Sequence, residues 1–180
     1  MGKGNDFALE VVSVRLVRDA PIYSESKIRN STDVIHLVGE QLCDMDREVV
    51  CVINLKADNT PINCHFASVG ALDYSMAHPR ELLKAGILSN AGKIILAHNH
   101  VSGDLIPSEM DVKLTDQMQQ VCGLVGIPLL DHVIVGGDNS RYFSFHEKGL
   151  VKNPHREYQT DYRKLEWDSP AEVAERGRSR

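Results

Sequence analysis

The sequence predicts an α/β protein with a mixed central sheet flanked by helices. Runs of β-branched and apolar residues alternate along the chain with runs of helical periodicity, as strands and helices do in this class. Hydrophobic residues make up 42% and charged residues 25% of the 180 residues, values that are ordinary for a globular chain and exclude wholesale disorder. The chain is therefore long and apolar enough to bury a domain-sized core.

Composition divides the chain into three parts. Residues 1–30 are expected to form an N-terminal strand, over residues 9–17, followed by a polar connector. Residues 31–150 carry the α/β pattern and are expected to form the folded domain. Residues 151–180 are polar and charged and are expected to form a C-terminal extension.

The first part of the domain shows the patterns of a helix and a β-hairpin. Ser31 and Thr32 are good N-cap residues before VIHLVGEQL, whose apolar residues recur at helical spacing. The β-rich runs at residues 48–56 and 62–70 predict two strands, and the Asp-Asn pair between them predicts a turn. A hairpin is the simplest arrangement of the two strands.

The rest of the domain alternates between strands and helices. Pro79 follows His78 and predicts a helix start, because proline suits the first helical position. The apolar run KIILAH at residues 93–98 is typical of a strand buried on both faces. Ser108 opens a longer helix, and LLDHVIV and RYFSF predict two further strands joined by a Gly-Gly-Asp-Asn turn. The longer helix is expected to turn these residues toward the core: Val112, Thr115, Met118, Val121, Cys122 and Val125.

Charge and composition argue against several classes of function. Twenty Lys and Arg against 25 Asp and Glu leave a net charge of −5, which weighs against autonomous nucleic-acid binding. No run of about 18 apolar residues predicts a membrane span, and the N-terminus lacks the apolar region of a secretory signal. The four cysteines lack the short paired spacing of a zinc knuckle, so we expect reduced thiols in a cytoplasmic protein.

One segment, between the predicted strand at residues 93–98 and the longer helix, combines the residue types of a metal site. His98 and His100 lie two apart at the end of a predicted strand, so both imidazoles can reach one point. Asp111, in the first turn of the following helix, could add a carboxylate. Two histidines, one aspartate and a water make an open zinc site, in which the pKa of the water falls to about 7.

Ser108, three residues before Asp111, has two possible roles. Its hydroxyl could donate a hydrogen bond to an oxyanion that forms when a carbonyl is attacked. Ser-x-x-Asp is also an N-cap pattern, in which the serine oxygen accepts a backbone N–H. Both roles are compatible, because a serine anchored to the backbone is also well positioned.

The pattern HxH-x7-S-x-x-D resembles the JAMM signature of the JAB/MPN metalloprotease superfamily. The sequence also resembles the RadC-like JAB domain of bacteria, over roughly residues 32–150. The segments that carry this resemblance are AHNHVSGD, SVGALDYSMAHPRELLKAGILSNA and LLDHVIVGG. The resemblance implies a three-layer fold related to that of cytidine deaminases. RadC proteins often carry an N-terminal helix-hairpin-helix module, and we expect this chain to be a stand-alone form without it.

The resemblance also assigns roles to particular residues. It implies that His98, His100 and Asp111 bind zinc and that Ser108 polarises the carbonyl or holds the water. An upstream glutamate serves the superfamily as general acid and base, and Glu48 is the matching position, since such chemistry needs a carboxylate to move the proton of the water. Glu81 competes for this role, but it falls in the first turn of a helix, where a structural role suffices for an acid.

Two further positions carry expectations about the site. The family usually has proline after the second histidine, and this chain has Val101, which puts the rigidity of the loop and its substrate contacts in question. His132, in LLDHVIV, is expected to pack in the core, with a role behind the ligands as the alternative.

The combined interpretation is a zinc-dependent metallohydrolase, and the superfamily implies a peptidase or isopeptidase acting on a peptide or protein. One alternative is a DNA-repair-associated protein that acts through partners, and another is a non-catalytic scaffold of the same fold. A zinc deaminase is set aside, because no H-x-E motif with a following P-C-x-x-C is found.

Overall fold

A computed structural model of the chain describes residues 13, 15–19, 21–24, 26–69 and 78–152. The described strands are β1 (Val49–Leu55), β2 (Pro61–Val69), β3 (Lys93–Asn99), β4 (Leu129–Val135) and β5 (Tyr142–Ser144). They form one sheet in the order β2-β1-β3-β4-β5. Strands β3 and β4 are parallel and the other neighbours are antiparallel, so the predicted mixed sheet is confirmed.

Helices lie on both sides of this sheet. Helix α1 runs through an α-helical turn at Ser31–Val34, a π-helical segment at Ile35–Gly39 and a second α-helical turn at Glu40–Cys43. Helix α2 is Pro79–Leu88 and helix α3 is Glu109–Val125. As expected, Pro79 is the first residue of α2, and the side chain of His78 caps it by accepting from the Arg80 N–H at 3.3 Å.

The core has two layers because the strands bury both of their faces. On one face, Ile95 and Ala97 of β3 belong to the cluster that contains the apolar residues of α1. On the other, Ile94 and Leu96 belong to the cluster that contains the apolar residues of α2 and α3. This alternation confirms that β3 is buried on both faces, and it gives the three-layer arrangement that the resemblance implied.

The hairpin predicted between the first two strands is also confirmed. Strand β1 pairs antiparallel with β2, with Ile53 opposite Cys64. Asn59 adopts a φ of 67° in the connecting turn, a left-handed conformation that asparagine tolerates better than most residues. The Asn59 N–H donates to the carbonyl of Lys56 at 3.0 Å and closes the turn.

The start of α1 differs from the prediction. The N-cap is Asn30, not Ser31 or Thr32. The Asn30 side chain accepts from the Asp33 N–H at 3.0 Å, and the Asp33 carboxylate accepts from the Asn30 N–H at 3.3 Å. Asn30 is favoured because Asp33 lies three residues further on and completes a reciprocal capping box.

Ser31 instead connects α1 to the sheet through a buried carboxylate. Its hydroxyl donates to Asp131 of β4 at 2.9 Å, and the hydroxyl of Ser144 of β5 donates to the same carboxylate at 2.7 Å. The backbone N–H groups of His132 and His146 donate to the other oxygen. Asp131 is 6% exposed, so these four donors compensate a charge that burial would otherwise penalise.

The inward face of α3 is turned relative to the prediction. Thr115, Met118 and Cys122 are buried as expected, but Val112 and Val125 are 50% and 44% exposed. The buried positions are Asp111, Leu114, Thr115, Met118 and Cys122. The physical reason is that Asp111 itself faces inward in the first turn of the helix, which moves the apolar stripe around the axis.

Several predictions fall wholly or partly outside the described residues. In the predicted strand 9–17, residues 9–12 and 14 are outside, and residues 13 and 15–17 are described without strand structure. The C-terminal extension is outside except for Val151 and Lys152. Within the described residues, the four cysteines are free, and none of the helices is long and apolar enough to cross a membrane.

Candidate metal centre

The carboxyl end of β3 and the first turn of α3 bring the three predicted ligands together. The two Nε2 atoms of His98 and His100 lie 3.0 Å apart. The Nε2 of His98 lies 3.1 Å from Oδ1 of Asp111, and the Nε2 of His100 lies 3.3 Å from Oδ2 of the same carboxylate. The period of two along the strand therefore places both imidazoles at one point, as the sequence predicted.

The spacing of the two imidazoles suits a tetrahedral metal ion. Zinc–nitrogen bonds of 2.0–2.1 Å place neighbouring ligand atoms about 3.3 Å apart in a tetrahedron, and the two Nε2 atoms lie 3.0 Å apart. Asp111 turns a different oxygen to each histidine, and one ligand atom from each of the three residues lies within 4.8 Å of the others. His98 and Asp111 are buried, whereas His100 is partly exposed, so the cluster sits at the boundary between core and solvent.

The loop after β3 orients His100. Its Nδ1 lies 2.9 Å from the backbone carbonyl of Asp104, and a carbonyl can only accept, so Nδ1 donates. Neutral His100 therefore directs the lone pair of Nε2 toward the shared point. The loop turns tightly through Gly103, whose φ is +71° and whose N–H donates to the carbonyl of His100 at 2.9 Å. Val101, the residue after His100 in this loop, is 61% exposed.

A capping box orients Asp111. The Ser108 hydroxyl and backbone N–H both donate to Oδ2 of Asp111 at 2.7 Å, and the Asp111 N–H donates to the serine oxygen at 3.2 Å. Ser108 is thus the N-cap of α3, as one of its two predicted roles required. Its hydroxyl proton is committed to the carboxylate here, and its role toward an oxyanion stays a prediction.

The charges of the cluster stabilise one another. Burial on its own would raise the pKa of Asp111, but the close approach of the two imidazoles and the hydrogen bond from Ser108 together outweigh it and hold the pKa well below the usual range. The hydrogen bond to Asp111 raises the pKa of His100, while burial opposes this shift and the charges of Asp111 and Glu48 add to it. Asp111 is therefore ionised at neutral pH, as a metal ligand must be.

Glu48 is exposed and stands immediately before β1, next to the strand that carries the histidines. Val50, two residues further on, pairs with His98 across β1 and β3, and the charge of Glu48 contributes to raising the pKa of His100. Glu81, the competitor, forms ion pairs with Arg80 at 3.4 Å and with Lys84 on the surface of α2. The choice of Glu48 over Glu81 as general acid and base stays a prediction.

The backbone on both sides of Glu48 is held by Asn99, which sequence reasoning missed. The side chain of Asn99 accepts from the Val49 N–H and donates to the carbonyl of Arg47, both at 2.9 Å. Asn99 is 2% exposed and lies between the two histidines in sequence. It thus ties the segment that carries Glu48 to the strand that carries the candidate ligands.

Two more residues stand behind the ligands. His132, for which packing was expected with a role behind the ligands as the alternative, is fully buried, and its Nε2 lies 2.8 Å from Nδ1 of His98. Thr115, which was expected only to fill the core, lies 2.7 Å from Nδ1 of His132. A signal did exist for Thr115, because it lies one helical turn after Asp111 and so shares its face. For His132 the signal was weaker, since it depends on which strand pairs with β3.

The arrangement defines a class of protein, namely an α/β domain with a His-His-Asp cluster that could hold a metal ion at the junction of a strand and a helix. Residues 28–150 match the RadC-like JAB domain family, and the chain belongs to that family.

Relatives with this domain are found in several bacteria. A UPF0758 protein of Desulfitobacterium hafniense is 40% identical over 124 residues, which are 69% of this chain and 54% of the relative. UPF0758 proteins of Pelodictyon phaeoclathratiforme and Clostridium acetobutylicum are 35% and 36% identical over 83% of this chain, and the matches cover 68% and 66% of those relatives. The chain thus spans between about half and two thirds of these curated relatives.

Proposed function

We propose that this protein is a zinc-dependent metallohydrolase that cleaves an amide bond in a peptide or protein substrate. The observation that carries the proposal is the convergence of two imidazole nitrogens and one carboxylate at 3.0–3.3 Å. Zinc held by His98, His100 and Asp111 would supply Lewis-acid activation of water and of the substrate carbonyl.

The protein's own residues would move the proton and steady the charge. Glu48 would accept a proton on its carboxylate from the attacking water and deliver it to the nitrogen of the leaving amine. The Ser108 hydroxyl, after release from Asp111, would donate a hydrogen bond to the oxyanion. The exposed position of Glu48 suits this role, because the carboxylate must reach both the water and the substrate.

Metal content tests the first half of the proposal. Elemental analysis of the purified protein should give about one zinc per chain in the wild type and none in His100→Ala. A wild type that binds no zinc after reconstitution would contradict the metalloenzyme assignment.

Turnover on a peptide panel tests the second half. Glu48→Gln should retain zinc and lose hydrolysis by a factor on the order of 100 or more, the usual contribution of a general base. Glu81→Gln is the matched control, because it removes the same charge from the surface of α2 and should retain both properties. Equal loss in the two variants, or none in Glu48→Gln, would contradict the role of Glu48.

A further inference from the structure

A buried chain of three hydrogen bonds runs behind His98 and returns to the other side of the cluster. Nδ1 of His98 lies 2.8 Å from Nε2 of His132. Nδ1 of His132 lies 2.7 Å from the hydroxyl oxygen of Thr115. That hydroxyl lies 2.6 Å from the backbone carbonyl of Asp111. The chain therefore connects one candidate ligand to the backbone of another.

The direction of each hydrogen bond in this series follows from its last acceptor, the backbone carbonyl of Asp111. The Asp111 carbonyl cannot donate, so the single proton of the Thr115 hydroxyl points to it. Thr115 must then accept from Nδ1–H of His132, and neutral His132 presents a lone pair on Nε2. That lone pair accepts from Nδ1–H of His98, which leaves the Nε2 lone pair of His98 facing His100 and Asp111.

His132 is held firmly in the position that this series of hydrogen bonds requires. It is fully buried, and the hydrogen-bond partners of its two ring nitrogens are an imidazole and a hydroxyl, neither of them an anion that would compensate a charged ring, so the ring is neutral. Its ring stacks on Phe145 with the planes 11° apart and the centroids separated by 4.9 Å. An apolar side chain could fill the same space without the cost of burying a polar ring, so packing alone does not account for a histidine here.

We propose that Thr115 and His132 are positioning residues that hold His98 in the Nδ1–H tautomer, with its Nε2 lone pair aimed at the metal. This inference rests on the proposed metal site and concerns how the site is built. Groups that hydrogen-bond a metal-binding histidine from behind usually contribute a factor of about 10 to 100 in metal affinity. A neutral histidine in that place, itself oriented by a threonine, adds no charge to the site.

Zinc affinity, measured by competition with a chromophoric chelator, tests the proposal without any substrate. Thr115→Val has nearly the shape of threonine but removes the hydroxyl, and it should weaken zinc binding by about 10- to 100-fold. Thr115→Ser restores the hydroxyl, and its zinc affinity should lie within about threefold of that of the wild type. Ser144→Ala is the matched control, since it removes a buried hydroxyl that serves Asp131, and its zinc affinity should not change.

A second readout reports the tautomers directly. In the zinc-loaded wild type, spectra of protein labelled with ¹⁵N at histidine should place the proton on Nδ1 in both His98 and His132. A proton on Nε2 of His132 would overturn the proposed direction of the chain. Thermal unfolding of each variant checks that it is folded before its affinity is compared.

The outcomes separate this inference from the proposed function. Unchanged zinc affinity in Thr115→Val, or an equal loss in Ser144→Ala, would overturn the positioning role while the metal site stands. Weakened binding in Thr115→Val with rescue in Thr115→Ser would support the role even if no peptide is cleaved. A wild type that binds no zinc would overturn both proposals.

Discussion

The two histidines of the candidate metal centre are held in opposite ways. Behind His98 stand the side chains of His132 and Thr115, both buried and both part of the core between the sheet and α3. Behind His100 stands the carbonyl of Asp104, in a loop whose residues Val101 and Asp104 are exposed. The orientation of one ligand is thus determined by the packed core and that of the other by a surface turn.

This difference separates the parts of the site that tolerate change from those that do not. A packed interior leaves little room for a side chain to rotate, so a change behind His98 also disturbs the core. A loop carbonyl is present whatever side chain the loop residue carries, so a change beside His100 leaves its partner in place. Val101, exposed in that loop, lies on the tolerant side of this comparison.

The largest effect is expected at Asp111, whose carboxylate approaches both histidines. Asp111→Ala should abolish zinc binding and lower the free energy of unfolding by about 1 to 3 kcal/mol, because Ser108 loses the buried acceptor of its N–H and hydroxyl. His100→Ala should abolish zinc binding with a smaller change in stability, since its partner is a loop carbonyl. Zinc analysis and urea unfolding of the metal-free proteins would measure both, and equal stability of the two variants would contradict the capping role of Asp111.

A large effect is also expected at Asn99, which joins the ligand strand to Glu48. Asn99→Ala should retain zinc, because none of the three candidate ligands is touched. It should lower the free energy of unfolding by about 1 to 3 kcal/mol through the loss of two hydrogen bonds to backbone groups. It should also reduce turnover by roughly 10- to 100-fold, because Glu48 is displaced.

Parallel measurement of stability, zinc content and turnover would check this expectation for Asn99. Undiminished turnover in a destabilised Asn99→Ala would show that Asn99 supports only the fold. Loss of zinc would show that it supports the ligands instead of Glu48.

The pH dependence of zinc binding would sharpen the comparison between His98 and His100. The hydrogen bond to Asp111 raises the pKa of His100 above the ordinary histidine value of about 6.5, so protons compete with zinc for the His100 imidazole. Affinity should be independent of pH well above that raised pKa and should fall as pH decreases through it, by about tenfold per pH unit for one proton. Titration of zinc affinity between roughly pH 5 and 9 would measure the effect. A fall in zinc affinity that begins only below the ordinary histidine pKa of about 6.5 would contradict it.

The smallest effect is expected at Val101, on the exposed side of the loop. It occupies the second position of the turn from His100 to Gly103, which proline favours. Val101→Pro should raise the free energy of unfolding by about 0.4 to 1 kcal/mol and leave zinc affinity within about twofold of the wild type. Lower stability and weaker zinc binding together would show that the turn near His100 depends on valine.

Much of the fold and the cluster itself could be predicted because the signals are local. The period of two in His98-Asn-His100, the proline at the start of α2 and the capping box of Ser108 and Asp111 all lie within one element or its end. Such patterns depend on backbone geometry, which is the same wherever the element finally packs. The sequence by itself therefore determined the mixed α/β class, the hairpin, the buried third strand and the meeting of two imidazoles with a carboxylate.

Only the tertiary structure decided what stands behind these residues. Asn99 reaches backbone groups that lie 52 and 50 residues away in sequence, and His132 meets His98 because β4 pairs in parallel with β3, with His132 opposite Leu96. The inward turn of α3, which exposes Val112 and brings Thr115 to His132, likewise depends on packing against the sheet. These contacts follow from the register between distant elements, which the packing of the whole core sets and no local pattern encodes.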